Sequence, residues 1–150
     1  MGLQDRDYMR MSPEESNESS GMGMLWGLII VNAVMYFVAA PGSPLYRDLA
    51  LYCVSGNFHV YQLATAGFLH YDFWHILFNM YGLYIFGKLV APHLGGRRFL
   101  IMYLHGLLYG NLLFLALNWN ARISLVGASG AVCAVMMPGI RRASTREEAP

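Results

Sequence analysis

The sequence predicts an all-α fold, a polytopic bundle of about four membrane-spanning helices. Of its 150 residues, 56% are hydrophobic and only 13% are charged, whereas a soluble domain usually carries about 25% charged residues. The apolar residues are gathered into long runs that end at proline, glycine or charged residues. We therefore expect the lipid bilayer, rather than water, to surround most of the chain.

The N-terminal part of the sequence predicts a tail followed by a first span. Residues 1–23 are polar and acidic, and the run from Ser16 to Ser20 has no apolar side chain to bury, so we expect disorder there. Residues 24–40 carry no charge and are long enough for a membrane helix. A signal peptide would also be apolar, but it would start with positive charge. We interpret the run as an uncleaved first helix.

Three further apolar runs predict the remaining spans of a membrane domain that covers residues 24–140. The prolines and glycine at 41–44 end the first span. A long connection with many aromatic residues follows, and aromatic side chains are typical of the membrane interface. The later spans cover about 73–90, 99–119 and 126–140, and a charged C-terminal tail at 141–150 is expected to be disordered.

The basic residues predict the orientation of these spans. Arg47 and Arg122 fall on one side of the membrane, and the other eight of the ten Lys and Arg residues fall on the opposite side. Loops on the cytoplasmic side of membrane proteins carry the excess of positive charge. The sequence therefore predicts a multi-pass integral membrane protein with both termini in the cytoplasm.

Other partner classes receive no support from composition. The formal net charge is +1, and no basic stripe with interleaved aromatic residues is present, so nucleic acid is not an expected partner. Cys53 and Cys133 lie far apart and fit no metal-ligand spacing. We expect no metal and no cofactor.

Polar side chains inside a membrane are costly and point to function. His75 and Asn79 lie four residues apart in the second span and would share one helix face. They could hydrogen-bond a neighbouring helix as interhelical contacts, which is the more common use of such a pair, or they could contribute to a polar site.

The third candidate, Ser129, stands in the run Gly127-Ala128-Ser129-Gly130. Gly127 suits a tight turn into a helix, where unpaired N–H groups could stabilise an oxyanion. The alternative is a packing face of small residues, which Ala131 and Ala134 would continue. In the third span, Gly106 and Gly110 have the Gly-x-x-x-Gly spacing and also predict close packing.

The stretch from Tyr61 to Met136 resembles the core of the rhomboid family of intramembrane serine proteases. The similar segments are QLATAGFLHYDFWHILFNM, the glycine-rich loop GGRRF and the motif GASGA, in this order. The resemblance implies helices 1–4 of a six-helix core, and transmembrane protein substrates. It also implies that Ser129 is the nucleophile, that His75 and Asn79 hold the oxyanion, and that His70 lies at the cavity edge.

The resemblance also predicts a missing group. The family's catalytic base is a histidine on the sixth core helix, and no histidine follows Ser129 in this sequence. We therefore expect a C-terminally truncated chain that is inactive alone, and a missing C-terminal portion would count among its partners. The alternative is a non-proteolytic rhomboid-like protein that binds transmembrane clients.

Overall fold

The structure, a computed structural model, describes residues 12–147 and is largely helical. Its elements, in chain order, are α1 Pro13–Val38, α2 Pro44–Leu49, β1 Leu51–Tyr52, α3 Gln62–Thr65, a 3₁₀ helix Ala66–Phe68, α4 Phe73–Leu117, β2 Ser124–Leu125 and α5 Ser129–Glu147.

Helix α1 begins well before the first apolar run. It starts at Pro13, so the prediction of a disordered tail is wrong for residues 13–23. Ser12 caps the helix: its hydroxyl accepts the Glu15 N–H at 3.2 Å, and the Glu15 carboxylate accepts the Ser12 N–H at 2.8 Å. This reciprocal pair, with proline at the first helical position, stabilises a helix start. The rest of the predicted tail, residues 1–11, lies outside the described residues.

Helix α4 combines the second and third predicted spans. Its backbone leaves the helical region at Gly95, with φ 71° and ψ 164°, and this divides α4 into a first limb, 73–94, and a second limb, 96–117. A positive φ favours glycine. The turn rests on α1, where the Gly96 N–H donates to the Ser20 hydroxyl at 3.2 Å.

The chain forms a helical membrane bundle. Among the described residues, α1 and α4 are the helices long and apolar enough to cross a membrane. Because α4 bends at Gly95, it supplies two segments, and the bundle has four long helical segments when α5 is included. The core between them is formed by buried apolar residues of all four segments: Leu25, Leu28, Leu83, Val90, Ala91, Phe99, Tyr103, Leu107, Ala128, Ala131 and Val135.

Helix α5 also extends beyond its prediction. It continues to Glu147, so the prediction of a disordered tail is wrong for residues 141–147, and residues 148–150 lie outside the described residues. Pro138 lies inside the helix. Gly139 is buried close to the Phe86 side chain of the first limb. The Pro138-Gly139 pair therefore does not end the helix, and Gly139 takes part in its packing.

The long connection between α1 and α4 has structure of its own. It contains α2, β1, α3 and the 3₁₀ helix, and β1 pairs antiparallel with β2 in the register Leu51–Leu125 and Tyr52–Ser124. The buried Gln62 side chain organises this connection, accepting the His59 N–H at 3.0 Å and donating to the Asp48 carbonyl at 3.1 Å. Through the pairing of β1 with β2, the connection contacts the segment that leads into α5.

Candidate active site

Ser129 is the first residue of α5, as expected for a serine at a helix start. The Ala128 carbonyl accepts the Val132 N–H at 2.9 Å, which is the first bond of this helix. The N–H groups of Ser129 and Gly130 therefore precede the hydrogen-bonded ladder and can meet a ligand. Ser129 is exposed, so its hydroxyl is open to a second molecule.

The segment ahead of Ser129 is held by the connection between α1 and α4. The Gly127 N–H donates to the Ala66 carbonyl at 2.9 Å, and the Asn120 N–H donates to the Cys53 carbonyl at 2.8 Å. Together with the β1–β2 pairing, these bonds fix the backbone that leads into α5. A rigid approach of this kind is what places a nucleophile within a narrow range of positions.

His75 lies directly against this segment. A Cβ atom placed on Gly127 would lie 2.6 Å from His75 Cε1 and 2.7 Å from its Nε2. Gly127 also has a φ of 125°, which disfavours other residues independently. The Asp72 carboxylate caps α4 by accepting the His75 N–H at 2.7 Å. The fold thus brings the His75 imidazole against Gly127, which lies two residues before Ser129 in the chain. Only glycine at position 127 leaves room for the ring.

Asn79 lies one turn further along α4 and is buried, with 8% of its surface exposed. Its side-chain amide donates to the His75 carbonyl at 2.9 Å. An amide NH₂ carries two hydrogens, so this bond orients the side chain and leaves one donor for a ligand.

His70 is the most deeply buried of the predicted site residues. Only 1% of its surface is exposed, and neither ring nitrogen has a hydrogen-bond partner among the described residues. Its ring centroid lies 5.0 Å from that of His75, whose Nδ1 is likewise buried without a partner. Burial, and secondarily the nearby His75, lower the pKa of His70 to about 4. His70 is therefore neutral at physiological pH.

The glycines and alanines of α5 form a separate packing face. Gly106 and Gly110 of the second limb approach Gly130, and a Cβ atom on Gly130 would lie 2.8 Å from the Gly106 carbonyl oxygen. A Cβ atom on Gly106 would collide with the Cβ of Ala134. The prediction of close packing through Gly106 and Gly110 is confirmed. In the Gly-Ala-Ser-Gly motif, Gly130 packs against α4 whereas Ser129 stays exposed.

Comparison with known proteins identifies the family. Residues 57–146, more than half of the chain, match the rhomboid domain. The chain belongs to the rhomboid family. The matched range contains Ser129, His75, Asn79 and His70.

Several plant and fungal rhomboids are similar to this chain. RHOMBOID-like protein 12, mitochondrial, of Arabidopsis thaliana is 35% identical over 79% of this chain and 41% of its own length. Rhomboid-like protein 11, chloroplastic, of the same plant is 39% identical over 73% of this chain and 38% of its own. Rhomboid protein 1, mitochondrial, of Saccharomyces cerevisiae is 36% identical over 50% and 23%. The chain thus spans less than half the length of these curated relatives. No solved structure matches it.

Two polar residues of the rhomboid spans were missed in the sequence. Asn32 is fully buried in α1 and donates to the Tyr103 hydroxyl at 3.1 Å. Asn111 in the second limb donates to the Leu63 carbonyl at 2.8 Å. Both lie in uncharged runs, so the rule that selected His75 and Asn79 would also have found them. The Asn32 bond joins α1 to the second limb, and the Asn111 bond joins the second limb to the connection between α1 and α4. Both bonds are structural.

Proposed function

We propose that this rhomboid provides the nucleophile and the oxyanion donors of an intramembrane serine protease that acts on transmembrane protein substrates. The observation that carries the proposal is the exposed Ser129 at the open start of α5, with the His75 ring against Gly127. A serine alone is common. A serine at a helix start, beside a half-buried imidazole whose buried Nδ1 has no hydrogen-bond partner among the described residues, is an arrangement suited to acyl transfer.

The proposed reaction begins with attack of Ser129 Oγ on the carbonyl carbon of a substrate peptide bond. The hydroxyl proton passes to a base, and the carbonyl oxygen becomes an oxyanion. The Ser129 N–H, a ring N–H of His75 and the free Asn79 amide hydrogen are its donors. Breaking the C–N bond releases the amine, which takes the proton, and water then hydrolyses the acyl-enzyme. Each preorganised donor typically contributes about 3–4 kcal/mol to such a step.

A base for Ser129 is the part that this set of residues does not supply. We assign His75 to the oxyanion, and His70 is buried. Of the remaining histidines, His59 lies in the connection between α1 and α4, and His93 and His105 lie further along α4. Without a proton acceptor the hydroxyl remains a weak nucleophile. We therefore propose that the 150 residues alone cleave slowly or not at all, and that a base from elsewhere restores the reaction.

Substrate cleavage with an added base tests this proposal. The chain is reconstituted in vesicles with a transmembrane substrate, with and without imidazole, which can reach the exposed Ser129. Cleavage is expected only when imidazole is present, and it should be lost in Ser129→Ala and in His75→Ala. Ser124→Ala, which changes another exposed serine nearby, serves as the control.

Two results would contradict the proposal. Robust cleavage without imidazole that is lost in Ser129→Ala but kept in His75→Ala would identify another base within the chain. Substrate binding without cleavage under all conditions would favour a non-proteolytic, client-binding rhomboid.

We also propose that both termini lie in the cytoplasm and that the connection between α1 and α4 lies on the opposite side. The uneven distribution of Lys and Arg supports this orientation. Single cysteines at Asn57 and Ala149, in a background without Cys53 and Cys133, can be labelled with a membrane-impermeant reagent. Labelling of the two positions from opposite sides is expected. Labelling of both from the same side would contradict the orientation.

A further inference from the structure

An apolar cleft with a basic rim lies at the end of the bundle that contains the Gly95 turn. It has a volume of about 250 Å³, and its apolar wall is formed by Val90 and Leu94 of the first limb, Met102 of the second limb and Pro138 of α5. His93, Arg141 and Arg142 complete the lining. Arg142 lies 13 residues after Ser129 on α5, roughly 20 Å along a helix, so the cleft is separate from the candidate active site.

Two further arginines stand where helix electrostatics disfavour them. Arg97 and Arg98 occupy the first turn of the second limb and are exposed. The N-terminal end of a helix already carries partial positive charge, so acidic rather than basic residues are favoured there. Arg98 precedes Met102 by four residues and therefore shares its helix face. This places Arg98 on the side of the second limb that borders the cleft.

Two of the arginines at this site carry positive charge that the described side chains do not neutralise. Neither the Arg98 nor the Arg141 guanidinium has an ion-pair partner among the described side chains of residues 12–144. The acidic residues Glu14 and Glu18 of α1 border a neighbouring cleft, which they share with Lys88 and which adjoins this one at His93. The apolar wall of the Met102 cleft thus lies beside Arg98 and Arg141, two guanidinium groups without an acidic partner among the described side chains.

We propose that this cleft binds an anionic phospholipid, with the phosphate between Arg98 and Arg141 and an acyl chain along Val90 and Met102. Guanidinium groups bind phosphate through charge-assisted, often paired hydrogen bonds. Basic pockets between membrane helices are suited to anionic headgroups. A free phosphate ion would satisfy the arginines but leave the apolar wall uncovered, whereas a phospholipid matches both parts of the cleft.

Lipid retention by the purified chain tests this assignment. The chain in mild detergent is titrated with phosphatidylglycerol, phosphatidylcholine or inorganic phosphate, and bound lipid is counted by native mass spectrometry while the thermal midpoint is followed. Phosphatidylglycerol alone is expected to be retained and to raise the midpoint. Removing both arginines in R98Q/R141Q should weaken its affinity by about fivefold for each charge, roughly 25-fold together.

The control is R47Q/R122Q, which removes two charges from the connections at the other end of the bundle and should retain phosphatidylglycerol like the wild type. Met102→Trp, which fills the cleft and leaves the charges, should also lose the lipid. R141Q alone, at an exposed position, keeps the test valid if the double variant does not fold. Equal retention by R98Q/R141Q, or by R141Q in that case, would overturn the proposal. So would equal loss in R47Q/R122Q, or equal stabilisation by inorganic phosphate.

Discussion

The two sides of helix α5 differ in how fully the rest of the chain packs against them and bonds their polar groups. On one side, Gly130, Ala131 and Ala134 meet the second limb of α4 so closely that a Cβ atom added to Gly130 or Gly106 would collide. On the other side, Ser129 is exposed and the nearby His75 has a buried nitrogen without a partner. The first side is closely packed. The second leaves polar groups without internal bonds.

Within the short Gly-Ala-Ser-Gly motif, we therefore expect different residues to determine stability and activity. Buried polar groups without partners destabilise a fold, and the proposed function assigns those beside the open serine to a ligand. The two glycines of the Gly-Ala-Ser-Gly motif have different contacts: Gly127 lies against His75 and Gly130 packs against α4. Substitutions on the packed side should therefore reduce stability, and substitutions on the open side should reduce activity.

The largest loss of stability is expected from Gly106→Leu. The new side chain would collide with Ala134 and with the backbone of Gly130 and Ala131, and overpacking of this kind costs about 3 kcal/mol at the upper end of its range. Chemical unfolding in detergent measures the change. Gly23→Leu on α1 is the control, because nothing lies near its Cβ position. Equal effects of the two substitutions would show that the interface between α4 and α5 contributes little.

Gly127→Ala should have a smaller effect on stability, about 1–2 kcal/mol from the positive φ, and a large effect on activity because the new methyl displaces His75. Gly42→Ala separates these two causes. Gly42 also has a positive φ, of 85°, but nothing lies near its Cβ position. Both variants should lose similar stability, whereas only Gly127→Ala should lose imidazole-dependent cleavage. Retained cleavage in Gly127→Ala would remove His75 from the proposed site.

His70 should make stability depend on pH. Its folded-state pKa is about 4 and an unfolded histidine has a pKa of about 6.5, so between these values the unfolded chain binds more protons. Stability should be fully present above pH 6.5 and decline as pH falls towards 4, with a limiting slope of about 1.4 kcal/mol per pH unit. His70→Phe, compared with His59→Phe at an exposed position, should flatten this decline. An unchanged slope in His70→Phe would assign the effect to other groups.

The smallest effect on stability is expected from Ser129→Ala. The side chain is exposed and lies outside the buried core cluster, so the free energy of unfolding should change by no more than about 0.5 kcal/mol. The same unfolding measurement used for Gly106→Leu checks this. A loss of several times that size would place Ser129 on the packed side of α5.

The spans were predictable because uncharged runs are a local signal. The positions of the glycines are also local, and they made the Gly95 turn and the close approach of Gly106 predictable. The early start of α1 also had a local signal, Ser12 followed by Pro13 and, three residues after Ser12, by Glu15. Hydropathy gives no weight to a polar helix of this kind. The continuation of α5 past Pro138 was not predictable in this way, since it depends on packing of Gly139 against Phe86.

The candidate site was predictable in its residue types but not in its geometry. Sequence indicated Ser129, His75 and Asn79 separately. The contact of His75 with Gly127 depends on bonds between distant segments, such as the one from Gly127 to Ala66. Such pairing between segments far apart in the chain leaves no local pattern. The burial of His70 next to His75 is a tertiary feature for the same reason.

The proposal that Ser129, on the open side of α5, is the nucleophile is tested most directly by finding which residue a fluorophosphonate labels covalently. The purified chain is incubated with the probe and increasing imidazole, and the modified residue is identified by peptide mass spectrometry. Labelling at Ser129 that increases with neutral imidazole, persists in Ser124→Ala and falls in His75→Ala and Asn79→Ala is the predicted result. Labelling at another residue, or labelling that survives in Ser129→Ala, would contradict the assignment of Ser129 as the nucleophile.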